Sequence, residues 1–225
     1  MTAGSDAVWS RDGKRVAYRG TSSRFIVRAV DAPESSAIVL PTGNDAWLPT
    51  GWTLDGLGIF TAIYRSPRGL DIAIVPADGK GAPTFLVESA AQEQAASLSP
   101  DGRWLAYISN ESGRNQIHVM SYPSLGTRWP LTSDGAAAYE WAGPNTILYS
   151  GGPAQQTYRL TFRSGGGAIE VTDRTAILSG RRSTANALPA YSAPLKRYLD
   201  TVVVPGQRTD SPLVLVTNWQ AEIRK

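Results

Sequence analysis

The clearest pattern of apolar and polar positions is Leu98-Ser99-Pro100-Asp101-Gly102-Arg103-Trp104-Leu105-Ala106-Tyr107. An apolar end, a run of turn-forming residues and a second apolar run predict a strand, a tight turn and a new strand. Pro100 pre-sets φ for the first corner. Asp101 can fold its carboxylate onto nearby backbone N–H groups, and Gly102 supplies a positive φ. The same pattern occurs at Trp9-Ser10-Arg11-Asp12-Gly13-Lys14-Arg15-Val16-Ala17-Tyr18 and at Trp52-Thr53-Leu54-Asp55-Gly56-Leu57-Gly58-Ile59-Phe60. A fourth, degenerate copy begins at Trp141, with Pro144-Asn145 turning before Thr146-Ile147-Leu148-Tyr149. A fifth, Tyr191-Ser192-Ala193-Pro194-Leu195-Lys196-Arg197-Tyr198-Leu199, lacks both Asp and Gly.

The turn aspartates Asp12, Asp55 and Asp101 are spaced by 43 and 46 residues, and Trp141 follows Leu98 by 43. The events within one period repeat as well. In the third copy the pattern predicts strands over residues 95–99, 104–109, 116–122 and 127–132. The second predicts strands over 60–64, 70–76 and 84–88, the first over 16–18, 25–30 and 37–40, and the fourth over 146–149, 157–162 and 168–172. Four short antiparallel strands in a period of this length are the signature of a β-propeller blade. One such sheet cannot bury both faces alone, and radial stacking buries them against neighbours. A sandwich or barrel with coincidentally similar turns would not repeat the order of turns and strands.

The expectation is therefore an all-β propeller of about five four-stranded blades, closed or partial, forming a single domain over residues 1–225. The approximate blades are 1–45, 46–91, 92–134, 135–183 and 184–225. The chain begins almost directly on a blade strand at Ala7-Val8-Trp9, so it is read as the C-terminal part of a longer propeller.

The run Ser99 to Tyr107, the strand Gln116-Ile117-His118-Val119-Met120 and the outer Pro130-Leu131-Thr132 resemble the WD-like propeller repeats of the TolB-like group. The end of the chain, with Val203-Val204-Pro205-Gly206 and Pro212-Leu213-Val214-Leu215-Val216-Thr217-Asn218-Trp219, is similar to the C-terminal propeller region of bacterial serine/threonine protein kinases. The first resemblance implies the fold. The second implies a sensor or regulatory region whose catalytic domain lies elsewhere. Arg11 and Leu54 replace the turn proline of that pattern, and the last two copies lack Asp-Gly.

Composition agrees with many short strands: 42% of residues are hydrophobic and 18% charged, with 22 glycines, 15 prolines, seven Trp and nine Tyr. The net charge is +3. Its excess sits in the second half without a cluster longer than Arg181-Arg182 or Lys196-Arg197, which argues against a nucleic-acid partner. There is no cysteine, which removes disulfides, thiolate catalysis and cysteine-based zinc sites. No run of about 18 apolar residues suggests direct membrane insertion. No leader is evident in residues 1–10. The compartment stays open; a periplasmic or extracytoplasmic place would follow from membership of an exported or membrane-anchored protein.

Candidate chemistry is sparse. The aspartates Asp12, Asp55 and Asp101 read as caps of their own turns, not as acids or calcium ligands. His118, the one histidine, lies mid-strand among apolar residues, and no Gly-x-Ser-x-Gly elbow accompanies it. Gly165-Gly166-Gly167 reads as a hairpin loop, because no helix follows to complete a phosphate cradle. Trp9, Trp52 and Trp141 share one repeat position; packing between blades is expected of them, with an aromatic ligand rim as the alternative. A strand over 212–217 and a helical turn over 219–225, capped by Asn218, complete the expected elements. No catalytic, cofactor-binding or metal-binding residue is assigned, and no cofactor. The function expected is a non-catalytic scaffold or sensor that binds a protein or small ligand through blade loops. The alternatives are a regulatory region of a kinase or peptidase polypeptide, and a hydrolase or lyase with a channel site.

Overall fold

A computed structural model describes residues 4–20, 24–42, 45–152, 156–178, 190–192 and 197–199. Four four-stranded antiparallel sheets follow one another along the chain, each a meander, and define a β-propeller. Blade I contains β1 (Gly4–Trp9), β2 (Arg15–Gly20), β3 (Phe25–Ala29) and β4 (Ile38–Val39). Blade II contains β5 (Ala46–Trp52), β6 (Gly58–Arg65), β7 (Gly69–Pro76) and β8 (Thr84–Val87). Blade III contains β9 (Glu93–Leu98), β10 (Trp104–Ser109), β11 (Gln116–Ser121) and β12 (Trp129–Pro130). Blade IV contains β13 (Ala136–Gly143), β14 (Thr146–Gly151), β15 (Gln156–Gly165) and β16 (Ala168–Leu178). A two-stranded hairpin, β17 (Ala190–Ser192) with β18 (Arg197–Leu199), comes last. The strand expected over 212–217 and the helical turn over 219–225 lie outside the described residues.

The first hairpin of each blade forms for a local reason. In blade III the Ser99 hydroxyl donates to Asp101 Oδ1 (2.6 Å) and accepts the Trp104 N–H (3.0 Å), while the Gly102 N–H donates to Ser99 O (2.8 Å). Blade I repeats this with Ser10, Asp12, Arg15 and Gly13, and blade II with Thr53, Asp55, Gly58 and Gly56. The three glycines have φ of +68°, +67° and +72°, the left-handed region that glycine enters at least cost. The carboxylates are held below 3.8. For Asp12 the first cause is the Ser10 hydroxyl and for Asp55 the Thr53 hydroxyl, each joined by a backbone N–H; for Asp101 burial opposes, but Ser99 and Arg103 together outweigh it. The aspartates thus cap their turns, as expected.

Each inner strand carries a register irregularity, and β13 carries a second between Trp141 and Gly143. The register shifts between Ser5 and Val8, Pro49 and Gly51, Gln94 and Ser97 (opposite Ala106 and Ile108), and Ala136 and Ala138. Asp6 and Ala95 have positive φ (54° and 58°) at equivalent positions. Pro49 is tolerated there because a bulge frees its residue from donating to the ladder. The Ala95 carbonyl faces the Tyr139 hydroxyl of blade IV at 2.5 Å, so the neighbouring blade satisfies a group the bulge exposes.

Three apolar layers lie between successive blades. Phe25, Val27, Trp47, Ile59 and Ile63 fill the first, with Phe25 and Trp47 rings 6.1 Å apart. Phe60, Ile72, Leu105, Tyr107 and Met120 fill the second. Trp104, Ile108, Ile147, Leu160 and Phe162 fill the third, with Trp104 edge-on to Phe162 at 5.7 Å. Each fully buried large side chain contributes about 1.5–3 kcal/mol. The middle strands therefore carry the stability.

Strands at the outer edge depart from their expected lengths in both directions. β4 and β12 keep only two residues, Ile38–Val39 and Trp129–Pro130, against expected runs over 37–40 and 127–132. Both are outermost, and Pro130 has no N–H to extend pairing. β16 instead runs to Leu178, well beyond residue 172, because it pairs along the whole of β15. Their connection is a two-residue loop: Gly165 pairs with Ala168, and Gly166 and Gly167 have φ of +60° and +79°. Positive φ at both loop residues matches the twist of the flanking strands. The glycine run is thus a hairpin.

Candidate functional site

Meander topology places the β1–β2-type turns at one end of the molecule and the β2–β3-type loops, with the links between blades, at the other. At the turn end, neighbouring blades are tied by arginines. The Arg15 Nη2–H donates to Gly56 O (2.6 Å) and its guanidinium stands 4.8 Å over the Trp52 ring. Arg11 reaches across to donate to Pro100 O, from blade I to blade III. A depression of about 380 Å³ opens between the inner strands, lined by Trp9, Trp52, Leu54, Leu98 and Pro100.

The three repeat-equivalent tryptophans do not behave alike. The Trp52 indole N–H donates to Val8 O (3.0 Å) and the Trp141 indole N–H to Ser97 O (3.3 Å), each reaching the preceding blade. Trp9 is 61% exposed. Packing between blades therefore holds for two of the three; Trp9 departs from it because no described sheet covers its side of blade I.

The loop end holds the buried ionisable groups. Asp71 is buried; its Oδ2 accepts from Arg65 Nε (3.0 Å) and Nη2 (2.5 Å), and its Oδ1 from the Ser89 N–H (3.3 Å). Arg65 also pairs with Glu88 at 2.6 Å and stacks 3.9 Å over the Phe85 ring. Glu93, at the start of β9, is fully buried. Its Oε1 accepts from the Ser89 hydroxyl (2.6 Å), while Oε2 has no hydrogen-bond partner. Burial, reinforced by the negative charges of Asp71 and Glu111, pushes its carboxyl above the usual range against the pull of Ser89 and Arg128. The linking segment is pinned twice more: the Gln92 N–H donates to Asn110 Oδ1 (2.8 Å), and Gln92 Oε1 accepts the Leu70 N–H (3.1 Å).

His118 is buried beside this cluster. Its Nε2 lies 2.9 Å from Glu111 Oε1, and its ring stacks on Tyr107 with centroids 5.5 Å apart. The sequence reads it as a packed or surface histidine, and the structure gives the packed form: a carboxylate and an aromatic face flank it, and among the described residues no hydroxyl is hydrogen-bonded to it. Between blades III and IV, Arg174 donates from Nη2 to Asp134 Oδ2 and from Nε to the Tyr149 hydroxyl, both at 2.5 Å. Burial pushes Tyr149 up to about 12, with Arg174 opposing. Two depressions open at this end, one of about 430 Å³ at Pro67, Arg68, Ser89 and Ala90, and one of about 250 Å³ at Asn115, Asp134, Gly135 and Gly151. Among the described residues no group of three or more acidic or histidine side chains is placed to hold a metal ion.

Sequence reasoning overlooked Asp71, Glu93, Ser89 and Asn110. Glu93 was visible as the one acid in Ala90-Ala91-Gln92-Glu93-Gln94-Ala95-Ala96, a stretch otherwise without charge.

No family model and no curated protein matches the chain. Solved structures do. TolB from Acinetobacter baumannii superposes with a TM-score of 0.58 at 14% identity, over 85% of this chain and 46% of that one. A puromycin-hydrolyzing peptidase of Mycobacterium tuberculosis gives 0.55 at 14% identity, over 85% and 37%. A prolyl endopeptidase gives 0.52 at 18% identity, over 76% and 28%. At such identities the likeness is one of fold alone, and that fold is the β-propeller. The chain spans less than half the length of each of these three proteins.

Proposed function

We propose that the chain is a non-catalytic propeller scaffold or sensor module that binds a protein through the loops of its loop end. The observation that carries this is the pinning of those loops from beneath. Buried Asp71 and Glu93 hold Ser89, and the Asn110 side chain holds the Gln92 N–H, so the link over 89–92 is tied to blades II and III. Exposed Arg68, Glu88, Glu111 and Arg114 surround this pinned link, a mixed-charge surface suited to a polar protein partner. Ordering such loops before binding removes an entropic cost of association.

A second reading is a regulatory propeller region within a longer kinase or peptidase polypeptide. Its support is the small share of each solved neighbour that the chain spans, two of those neighbours being peptidases by name.

The test is differential capture from an extract of the source cells with the immobilised full chain. A specific protein should bind the wild type and Lys14→Glu, an exposed turn-end change, and be lost about tenfold or more with Arg68→Glu/Arg114→Glu. Loss with Lys14→Glu alone would move the surface to the turn end. Turnover of ester or peptide substrates that disappears in His118→Ala would replace the scaffold with an enzyme.

A further inference from the structure

Two carboxylates from adjacent blades hold one residue of the link between blades II and III. Asp71, on β7, accepts the Ser89 N–H through Oδ1 (3.3 Å), and Glu93, on β9, accepts the Ser89 hydroxyl through Oε1 (2.6 Å). The Ser89 Oγ in turn accepts the Ala91 N–H (2.8 Å), so one side chain sets the course of the link. Both carboxylates are buried, and they differ in how their charge is met. Asp71 is neutralised by Arg65, which donates to it from Nε and Nη2. Glu93 has no such partner: among the described residues no arginine or lysine forms an ion pair with it, and its Oε2 receives no hydrogen bond.

The groups around Glu93 come from both blades. From blade II there are Asp71 with Arg65 and, beyond Ser89, the exposed Glu88, which Arg65 also holds at 2.6 Å. From blade III the Ser109 hydroxyl lies 3.5 Å from Oε1 and accepts the Glu111 N–H (3.2 Å). Tyr107 shares this face of β10, two residues before Ser109. Its hydroxyl is buried without a partner, and its ring stacks on His118, whose Nε2 lies 2.9 Å from Glu111 Oε1. Arg128, exposed on the segment before β12, is the cation that attracts Glu93, against the negative charges of Asp71 and Glu111.

Ionisation of Glu93 therefore sets a second carboxylate charge on the serine that Asp71 already holds, in a seam that offers one of its oxygens no donor. A buried carboxylate in that state is costly, and water reaches it when the link moves away. The protonated side chain carries no charge and still accepts from Ser89 through Oε1. Burial raises the carboxyl above 4.5 in the folded chain. Closure of the link is thus fully present below that value and is lost as pH rises through the higher folded one. Ser89 and Ala90 line, with Pro67 and Arg68, the depression of about 430 Å³ at the loop end, so the surface follows the state of the link.

We propose that Glu93 is a pH-operated latch beneath the loop end: its protonated side chain holds the link over 89–92 closed on blades II and III, and its ionisation frees that link. As regulation of the binding surface, the latch rests on the scaffold reading above. As a property of the link it stands alone, because it needs no partner.

The test is amide hydrogen exchange of the full chain between about pH 4.5 and about pH 7.5, each rate corrected for its intrinsic value at that pH. The reporters are the N–H groups of Ser89, Ala91 and Gln92, which donate to Asp71, Ser89 and Asn110. The Ser99 N–H, bonded to Trp104 O at 2.8 Å, is the reference. The latch predicts that protection of the three reporters falls about tenfold or more as pH rises, while that of Ser99 stays constant. In Glu93→Gln the reporters should stay protected throughout. Constant protection in the wild type overturns the proposal, as does a fall that persists in Glu93→Gln. Should Glu93→Gln fail to fold, the carboxyl carbon resonance of Glu93 in the wild type decides. Its titration midpoint should coincide with that of the reporters, and a different midpoint overturns the proposal. Constant protection refutes the latch alone, whereas a failed capture of any partner refutes the binding role and leaves the latch standing.

Discussion

Removing the hydroxyl of Ser99 should destabilise the protein by about 2 kcal/mol, and removing that of Ser10 by under about 1 kcal/mol. The two side chains share two hydrogen bonds, donating to the turn aspartate and accepting an N–H five residues on, and Ser10 Oγ also lies 3.0 Å from Arg15 O. They differ in what Ser→Ala leaves behind. The Trp104 N–H that Ser99 accepts is buried, and without its partner it keeps a desolvation penalty of about 1–3 kcal/mol. The Arg15 N–H accepted by Ser10 is only partly buried, so water can replace the lost oxygen. Thr53 serves a buried N–H, that of Gly58, and Thr53→Ala should resemble Ser99→Ala. For a chain of this length 2 kcal/mol corresponds to roughly 6 °C in Tm. The assay is urea unfolding followed by tryptophan fluorescence, with the slope required to stay constant across the series. Ser99→Thr should recover most of the loss. A Ser10→Ala cost equal to or above that of Ser99→Ala would refute the reasoning, as would a Ser99→Ala cost below about 0.5 kcal/mol.

Acid should weaken the turns. The folded-state carboxyls of Asp12, Asp55 and Asp101 lie below 3.8, so their contribution is present above that pH and disappears as pH falls through the lower folded values. The Asp12→Asn/Asp55→Asn/Asp101→Asn variant should show a flatter loss of urea midpoint below pH 4 than the wild type. Glu93 has the opposite sign. Its carboxyl is raised above 4.5, chiefly by burial, so the native state binds the proton more tightly and ionisation at neutral pH costs stability. Glu93→Gln should therefore raise the urea midpoint at pH 7, and the advantage should vanish near pH 4, where both side chains are neutral. Two turn glycines separate backbone strain from collision. Gly13→Ala should cost about 1 kcal/mol for its positive φ alone, because nothing lies within 4 Å of the new methyl. Gly102→Ala should cost more in the same unfolding assay, because its methyl would lie 2.1 Å from Leu54 Cδ1.

What the sequence made legible was what repeats. The Asp-Gly turns, the order of four strands and the Pro144-Asn145 turn of the degenerate copy all follow from local chemistry at a regular spacing, and all stand where the pattern placed them. The serine or threonine two residues before each aspartate was visible too, as Ser10, Thr53 and Ser99, yet its share in the turn appears only in the hydrogen bonds. The loop-end cluster was not legible, because Asp71, Glu93 and Asn110 each occur once and meet only through pairing across two blades. Strand length at the outer edge was equally hidden. β12 stops at Pro130 and β16 runs on to Leu178 according to the partner strand available, which a residue's own neighbours in sequence do not encode. Trp9, Trp52 and Trp141 look equivalent in sequence and diverge in exposure because packing depends on which sheet lies alongside.

The blades are stacked so that Trp52 and Trp141 each reach the inner strand of the preceding blade. Nuclear Overhauser contacts from the indole N–H protons test this directly. Stacking predicts contacts from Trp52 to Val8 and from Trp141 to Ser97, each spanning 44 residues. Contacts confined to each tryptophan's own blade would contradict the stacking and with it the propeller.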